Sequence, residues 1–322
     1  MNRKRFLMAA SVVTIASVKG GSLLNAALAE PARRLPIVDT HQHLVDVKRF
    51  GESWSRPPVR GNYGIAEYRE ATSGLNFVKA VYVEVAVPTE KRHEEALYAI
   101  EMCKDNSIIT AGAVIKADIY DPGFVNYMSQ FKTSPCIKGI RPSFSSQESL
   151  MSDQLIKNVK ALGEMNMSMD FTLMPSWLPA IYELAKACPG TAFMINHCAN
   201  VDPRAFLKTD AYGKASHDAG EWVKNMTALA SLKNTALKIS GIATRVKGLP
   251  VTAENLGPAI NQCLDIFGPD RVMFASDWPW CLGATDIKTW VGVLKSVVSK
   301  RSFIDQKKLF HDNAVRLYRI TT

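Results

Sequence analysis

From residue 35 to its end the chain alternates eight times between a short apolar, β-branched run and a longer amphipathic stretch. The runs read as strands are Leu35 to Leu44, Phe77 to Val87, Ile109 to Ile115, Ile137 to Ser143, Ser168 to Leu173, Thr191 to Cys198, Thr235 to Ser240 and Arg271 to Ser276. Helical periodicity covers Lys91 to Asp105, Asp153 to Gly163, Leu178 to Ala187, Ala219 to Leu232, Ala253 to Phe267, Asp286 to Lys300 and Gln306 to Tyr318. Strands that are apolar along their whole length are covered on both faces, which is the signature of a parallel sheet. Eight strand-helix units within about 290 residues favour a closed barrel over an open sheet. The expected architecture is therefore α/β, a single-domain (β/α)8 TIM barrel over residues 30–322. A hydrophobic content of 47% supplies a core of that size.

The first 29 residues read differently. Arg3, Lys4 and Arg5 precede the apolar run from Phe6 to Ser17, and Ala27-Leu28-Ala29 offers a small-x-small cleavage site. This is the layout of an export signal cut after Ala29, with a twin-arginine-like start, and it predicts a periplasmic location in a bacterium. The run is too short for a membrane span, so no stable anchor is expected. Removing the segment takes four basic residues and no acid, and the formal net charge falls from +9 to +5. The remaining Lys and Arg are interspersed with acids and form no basic cluster or aromatic ladder, which argues against a nucleic-acid partner. The small positive excess suits a small-molecule substrate that is anionic. Six dispersed cysteines contain no C-x-x-C pair, so no metal knuckle is implied, and their pairing stays open.

A barrel of this type places its chemistry at the carboxyl ends of its strands. The first strand ends in His41-Gln42-His43, and side chains two apart on a strand share a face with their roots roughly 6–7 Å apart, close enough to share one ion. The bland alternative is a pair of surface histidines. Other ionisable groups occupy equivalent places: Glu84, Arg141, Asp170, His197, Lys238 with Ser240, and Asp277. Imidazole and carboxylate are the usual ligands of zinc in catalytic sites, and His41, His43, Glu84, His197 and Asp277 are the candidate set.

In their order along the chain, Asp39-Thr40-His41-Gln42-His43, Gly139-Ile140-Arg141, His197-Cys198-Ala199-Asn200, Lys238-Ile239-Ser240-Gly241, Phe274-Ala275-Ser276-Asp277-Trp278-Pro279 and Asn313-Ala314-Val315-Arg316-Leu317-Tyr318 resemble the amidohydrolase superfamily. The match is closer to its branch of sugar lactonases and 2-pyrone-4,6-dicarboxylate lactonase. The resemblance implies that His41 and His43 face the reaction centre, that His197 contacts metal or substrate, and that Asp277 is the general base. The chain departs from the wider superfamily in having no lysine obviously placed as a carbamylated bridge and one clear mid-chain histidine on a strand end, so at most one divalent ion is expected, zinc being the first choice, and some members of that branch work without metal. A divalent ion lowers the pKa of bound water from ~15.7 towards ~7, and an adjacent carboxylate can take the proton as the water attacks a carbonyl. For Asp277 the competing role is a helix cap.

Arg141 is expected to fork onto a substrate carboxylate or lactone oxygen, with a salt bridge to a neighbouring strand as the alternative. Lys238 is a candidate substrate contact at the barrel mouth, or the buried partner of Asp170. His217 lies in a polar stretch that could cover the mouth, while His93 and His311 read as surface and packing residues. Trp54, Trp278 and Trp280 are candidates for stacking on a ring, against simple space filling. The function expected is hydrolysis of a lactone by activated water. The rivals are a metal-dependent decarboxylase of the same superfamily and a non-catalytic carbohydrate-binding barrel.

Overall fold

The computed structural model describes residues 35–51, 59–144 and 146–321; the export-signal expectation and Trp54 lie outside the described residues. Eight strands form one sheet in sequence order: β1 (Ile37–Gln42), β2 (Phe77–Val83), β3 (Thr110–Ile115), β4 (Ile137–Ile140), β5 (Ser168–Phe171), β6 (Ala192–Ile195), β7 (Thr235–Ile239) and β8 (Val272–Phe274). Every ladder from β1–β2 to β7–β8 is parallel, which the intervening helices make possible. The strands are shorter than the apolar runs suggested, and the trimming falls mostly at their carboxyl ends. His43, Glu84, Arg141, His197, Ser240 and Asp277 all lie just beyond the last ladder residue, where the chain leaves the sheet.

Several helices start where short polar side chains accept from the free N–H groups of the first turn. Ser152 caps Asp153–Glu164, Asp218 caps Ala219–Ser231, Thr252 caps Ala253–Phe267 and Asp286 caps Ile287–Val297. The last predicted helix, 306–318, is instead broken into Phe303–Lys307, a π-turn at Lys308–Asp312, and Asn313–Leu317. The break lets the final segment turn under the barrel, where Ala314, Tyr318 and Ile320 pack on an inner cluster of Val38, Val81, Val83, Val114, Met194, Ala236 and Met273.

Two-residue alternation carries that inner face upward from apolar to polar. Val114 is followed by Lys116, Ala236 by Lys238 and then Ser240, and Met273 by Ala275 and then Asp277. Within the wall, Lys238 is fully buried and its Nζ donates to Asp170 Oδ2 at 2.6 Å and to the Thr40 carbonyl at 2.8 Å. Tyr318 Oη donates to the same Asp170 oxygen at 2.7 Å. Lys238 is thus a brace between strands and the closing segment, which corrects its reading as a substrate contact: its ammonium is taken up by Asp170 and the Thr40 carbonyl, and these buried partners offset its desolvation. Tyr318→Phe removes one of the hydrogen bonds to Asp170 and is expected to cost about 1–2 kcal/mol in a urea titration. No change would show that the hydroxyl is dispensable.

The seam between β8 and β1 is not a ladder but a set of cross-links through the site itself. Thr40 Oγ1 donates to the Phe274 carbonyl (2.7 Å), the Ser276 N–H to Asp39 Oδ1 (2.8 Å), the Asp277 N–H to the His41 carbonyl (3.0 Å) and the His43 N–H to the Trp278 carbonyl (2.8 Å). Tyr68 Oη also donates to Asp39, at 2.8 Å. Closing the barrel therefore presses the two histidines of β1 against the aspartate that follows β8. Cys103, at the end of the helix Arg92–Lys104, is joined to Cys136, just before β4, by a disulfide, and the other four cysteines are free and buried.

Candidate active site

His43 is fixed first. Its Nδ1–H donates to the Val83 carbonyl at 2.8 Å, which makes Nε2 the unprotonated nitrogen of a neutral ring. That nitrogen lies 3.2 Å from His41 Nε2. Asp277 Oδ1 is 3.7 Å from each of the two. On the other side, Asp277 Oδ2 is 3.8 Å from His197 Nδ1, which also meets Ser240 Oγ at 2.9 Å. All four side chains are buried. His41, His43, His197 and Asp277, read separately from three distant stretches of chain, are brought together.

Burial sets their charges. It holds His43 down to about 3, with the Arg141 guanidinium acting in the same direction, and holds His41 and His197 well below the ordinary imidazole range, helped by the Lys238 ammonium and the Arg245 guanidinium respectively. All three rings are therefore neutral at pH 7, the state that ligates metal or accepts a proton. Burial pushes Asp277 the other way, up to about 7, against the opposing pull of Arg141 and Arg245. A carboxyl at that value is poised to take up and release a proton near neutrality.

The donor set fits one divalent ion. His41 Nε2, His43 Nε2 and Asp277 Oδ1 form a near-regular triangle, and a point equidistant from them lies about 2.1 Å from each, a normal zinc–nitrogen or zinc–oxygen length. His197 joins His41 and Asp277 in a second group whose ligand atoms all lie within 4.8 Å. Glu84 is committed elsewhere: Oε1 receives Arg141 Nε at 2.7 Å, with Lys116 Nζ at 3.6 Å, and Oε2 receives the Ala86 N–H at 2.6 Å. Despite burial, those two cations hold it down to about 2. Its placement makes it the anchor of Arg141 and leaves the ligand set at three histidines and one aspartate.

Arg141 makes the salt bridge that was the alternative reading for it. Nε and Nη2 grip Glu84, the latter on the backbone carbonyl at 2.9 Å, while Nη1 reaches to 3.5 Å from His41 Nε2. The salt bridge aims the guanidinium at the centre. Trp278 is buried and packs edge-on against Tyr63 and Tyr68, so it fills space where stacking on a ligand was expected. His217 uses Nε2 to accept the Asp202 N–H at 2.8 Å and Nδ1 to reach the Asp218 carbonyl at 3.1 Å, so both nitrogens serve the backbone of its own loop.

The sequence reading missed two features. Arg245, at the rim after β7, is close enough to act on Asp277 and His197, but nothing in Thr244-Arg245-Val246 marks it. The second is the backbone of His197-Cys198-Ala199-Asn200: all four residues have φ between 51° and 56°, a left-handed turn built without glycine. Each left-handed non-glycine residue costs roughly 1–2 kcal/mol, so the turn stores several. It is held by Ser240 on His197, by Cys198 Sγ against the Lys238 carbonyl (3.8 Å) and by close contact with Gly241.

Comparison with known proteins agrees with this geometry. The amidohydrolase family model (Amidohydro_2) matches residues 38–320. L-Fucono-1,5-lactonase of Burkholderia multivorans is 24% identical over 304 residues, covering 87% of this chain and 95% of the relative. Among solved structures, an amidohydrolase from Burkholderia multivorans with bound zinc superposes with a TM-score of 0.75 at 19% identity, covering 89% of this chain and all of the other. 2,6-Dihydroxybenzoate decarboxylase from Rhizobium shares the fold at 12% identity, with a TM-score of 0.59 and 88% and 98% coverage. With the match running from β1 to the closing segment, the chain belongs to the amidohydrolase family.

Proposed function

We propose that this enzyme opens a cyclic ester, a lactone of a sugar acid or a related ring, by attack of water. The observation that carries the reading is the Asp277 carboxylate, buried, with one oxygen 3.7 Å from both His41 and His43 Nε2 and the other 3.8 Å from His197 Nδ1. Ionised Asp277 accepts a proton from water as it adds to the carbonyl carbon and returns it to the departing ring alkoxide, so the product is a single open-chain hydroxy acid. Arg141 Nη1, 3.5 Å from His41 Nε2, would donate to the carbonyl oxygen as charge builds on it. His41, His43, His197 and Asp277 would hold a divalent ion, which when bound polarises the carbonyl and acidifies water. Zinc is the ion proposed, because imidazole and carboxylate are its usual donors in catalytic sites. The lactonase relative supports the substrate class. The Cys103–Cys136 disulfide supports export to an oxidising compartment such as the periplasm, as the first 29 residues read.

The test is a pH-indicator screen of sugar lactones with released carbon dioxide measured in parallel, on protein as purified and after treatment with a chelator. Acid release without carbon dioxide is expected, and carbon dioxide from a carboxylated substrate would establish decarboxylation instead. Because Asp277 must be ionised to act, kcat/KM of the metal-free protein should rise with pH through a limb near 7 and then level. A bound cation favours the ionised form and moves that limb lower.

A further inference from the structure

Beside the His-Asp centre, over the carboxyl ends of β2 to β5, opens a cleft of about 440 Å³. Its walls include Glu84, Lys116, Arg141, Ser143, Phe144 and Trp177. Lys116, the inward residue after β3, is 9% exposed. Its Nζ donates to Ser143 Oγ at 2.7 Å and stands 3.6 Å from Glu84 Oε1, the oxygen already taken by Arg141 at 2.7 Å. Glu84 is the one carboxylate among the described residues lining the cleft, so two cations share a single negative charge. On its other side Lys116 borders a smaller cavity with Glu90, Asp118 and Asp121, yet among the described residues its only ion pair is with Glu84. Much of the remaining wall is aromatic: Phe144 stacks on Phe171 at 5.5 Å and stands 6.4 Å from Trp177, the latter two rings tilted by 54°.

A half-buried site with one uncompensated positive charge and a hydroxyl donor is matched by an anion of carboxylate type, and the aromatic wall by a ring. Arg141 joins cleft to centre, because its Nη1 is 3.5 Å from His41 Nε2 while its other nitrogens hold Glu84. We propose that this cleft is a carboxylate-binding subsite with Lys116 as its specificity-determining residue, so that the preferred substrate is a cyclic ester bearing an anionic group. The proposal rests on the hydrolase reading for its reaction and on the cleft alone for its ligand class.

The experiment compares two lactones of one ring, γ-butyrolactone-γ-carboxylate and γ-valerolactone, which put a carboxylate or a methyl at the same carbon. The wild-type protein is expected to favour the carboxylate at least 10-fold in kcat/KM. Lys116→Met should lower that ratio about 30-fold, through KM of the charged lactone, and Lys116→Arg should restore most of it. Equilibrium binding of tetrahydrofuran-2-carboxylate, which cannot be hydrolysed, is measured by calorimetry on the same proteins and should weaken at least 10-fold in Lys116→Met. If that variant fails to fold, Lys116→Gln, which keeps a bond to Ser143, takes its place. A ratio and a binding constant both unmoved by the substitution overturn the subsite and leave hydrolysis standing. Carboxylate binding that is lost in the variant while wild-type protein opens neither lactone upholds the subsite and removes the hydrolase reading.

Discussion

Asp277→Asn is expected to lower kcat by about 10³-fold while making the metal-free protein more stable above neutral pH. The loss of turnover follows from the role of the carboxylate as proton acceptor, which an amide cannot play. The gain in stability follows from linkage. Folding raises the pKa of Asp277 from 3.8 to about 7, chiefly by burial. Well below pH 3.8 the group is protonated in both states and carries no penalty. Between pH 4 and 7 the unfolded chain ionises and the folded one does not, so stability falls as pH rises, and above 7 the folded protein bears the full cost of a buried anion. Ionising at about 7 in place of 3.8 corresponds to about 4 kcal/mol as a ceiling, and a gain of about 2–4 kcal/mol is expected for the asparagine variant at pH 8. Glu95, buried and also pushed up to about 7, acts with the same sign. The difference between the two proteins in urea titrations at pH 5 and pH 8 isolates Asp277. A non-catalytic binding barrel predicts instead no turnover to lose and ligand binding unchanged by the substitution. Full activity in the variant would end the proposed mechanism.

Gly241→Ala is expected to disrupt the site from outside it. Gly241 has φ +64°, and a Cβ built there would lie 2.8 Å from Cβ, Cγ and Nδ1 of His197. No side chain approaches that closely, so either the turn carrying His197 or the strand end carrying Gly241 must move. Backbone strain contributes about 1 kcal/mol and the collision more, for a total of about 2–4 kcal/mol. Displacing His197 separates it from Asp277 and Ser240, and kcat/KM should fall about 10²-fold or more. Gly248→Ala is the control: its φ is +83° with nothing within 4 Å of the added atom, so it carries the backbone cost without the collision. Equal effects of the two substitutions on melting and activity would show that contact with His197 is unimportant.

How much of this was legible can be judged residue by residue. The eight runs were readable because a strand covered on both faces must be apolar along its length, and their ends were marked by the change to ionisable groups. His41 and His43 were recoverable from two-residue spacing on one strand, and His197 and Asp277 from their places at the ends of two others. The inward face of β7 followed from alternation, but whether Lys238 served ligand or wall did not: spacing places a side chain on a face, and only depth along the barrel says whether water reaches it. Trp278 and His217 were misjudged for the same reason, since their neighbours come from distant segments. Glu84 was placed among the metal ligands because composition cannot show that Arg141 and Lys116 reach it first.

The sequence by itself determined the barrel, the order of its strands and the four side chains at its centre, because these depend on periodicity and on where polar residues interrupt it, both local properties of the chain. The tertiary structure alone decided which ionisable groups pair with one another, the left-handed turn that presents His197, the seam that sets Asp277 against the β1 histidines, and the protonation of all four. Those depend on burial and on distances between residues far apart in the chain, and electrostatic energy in a low-dielectric interior changes steeply with both.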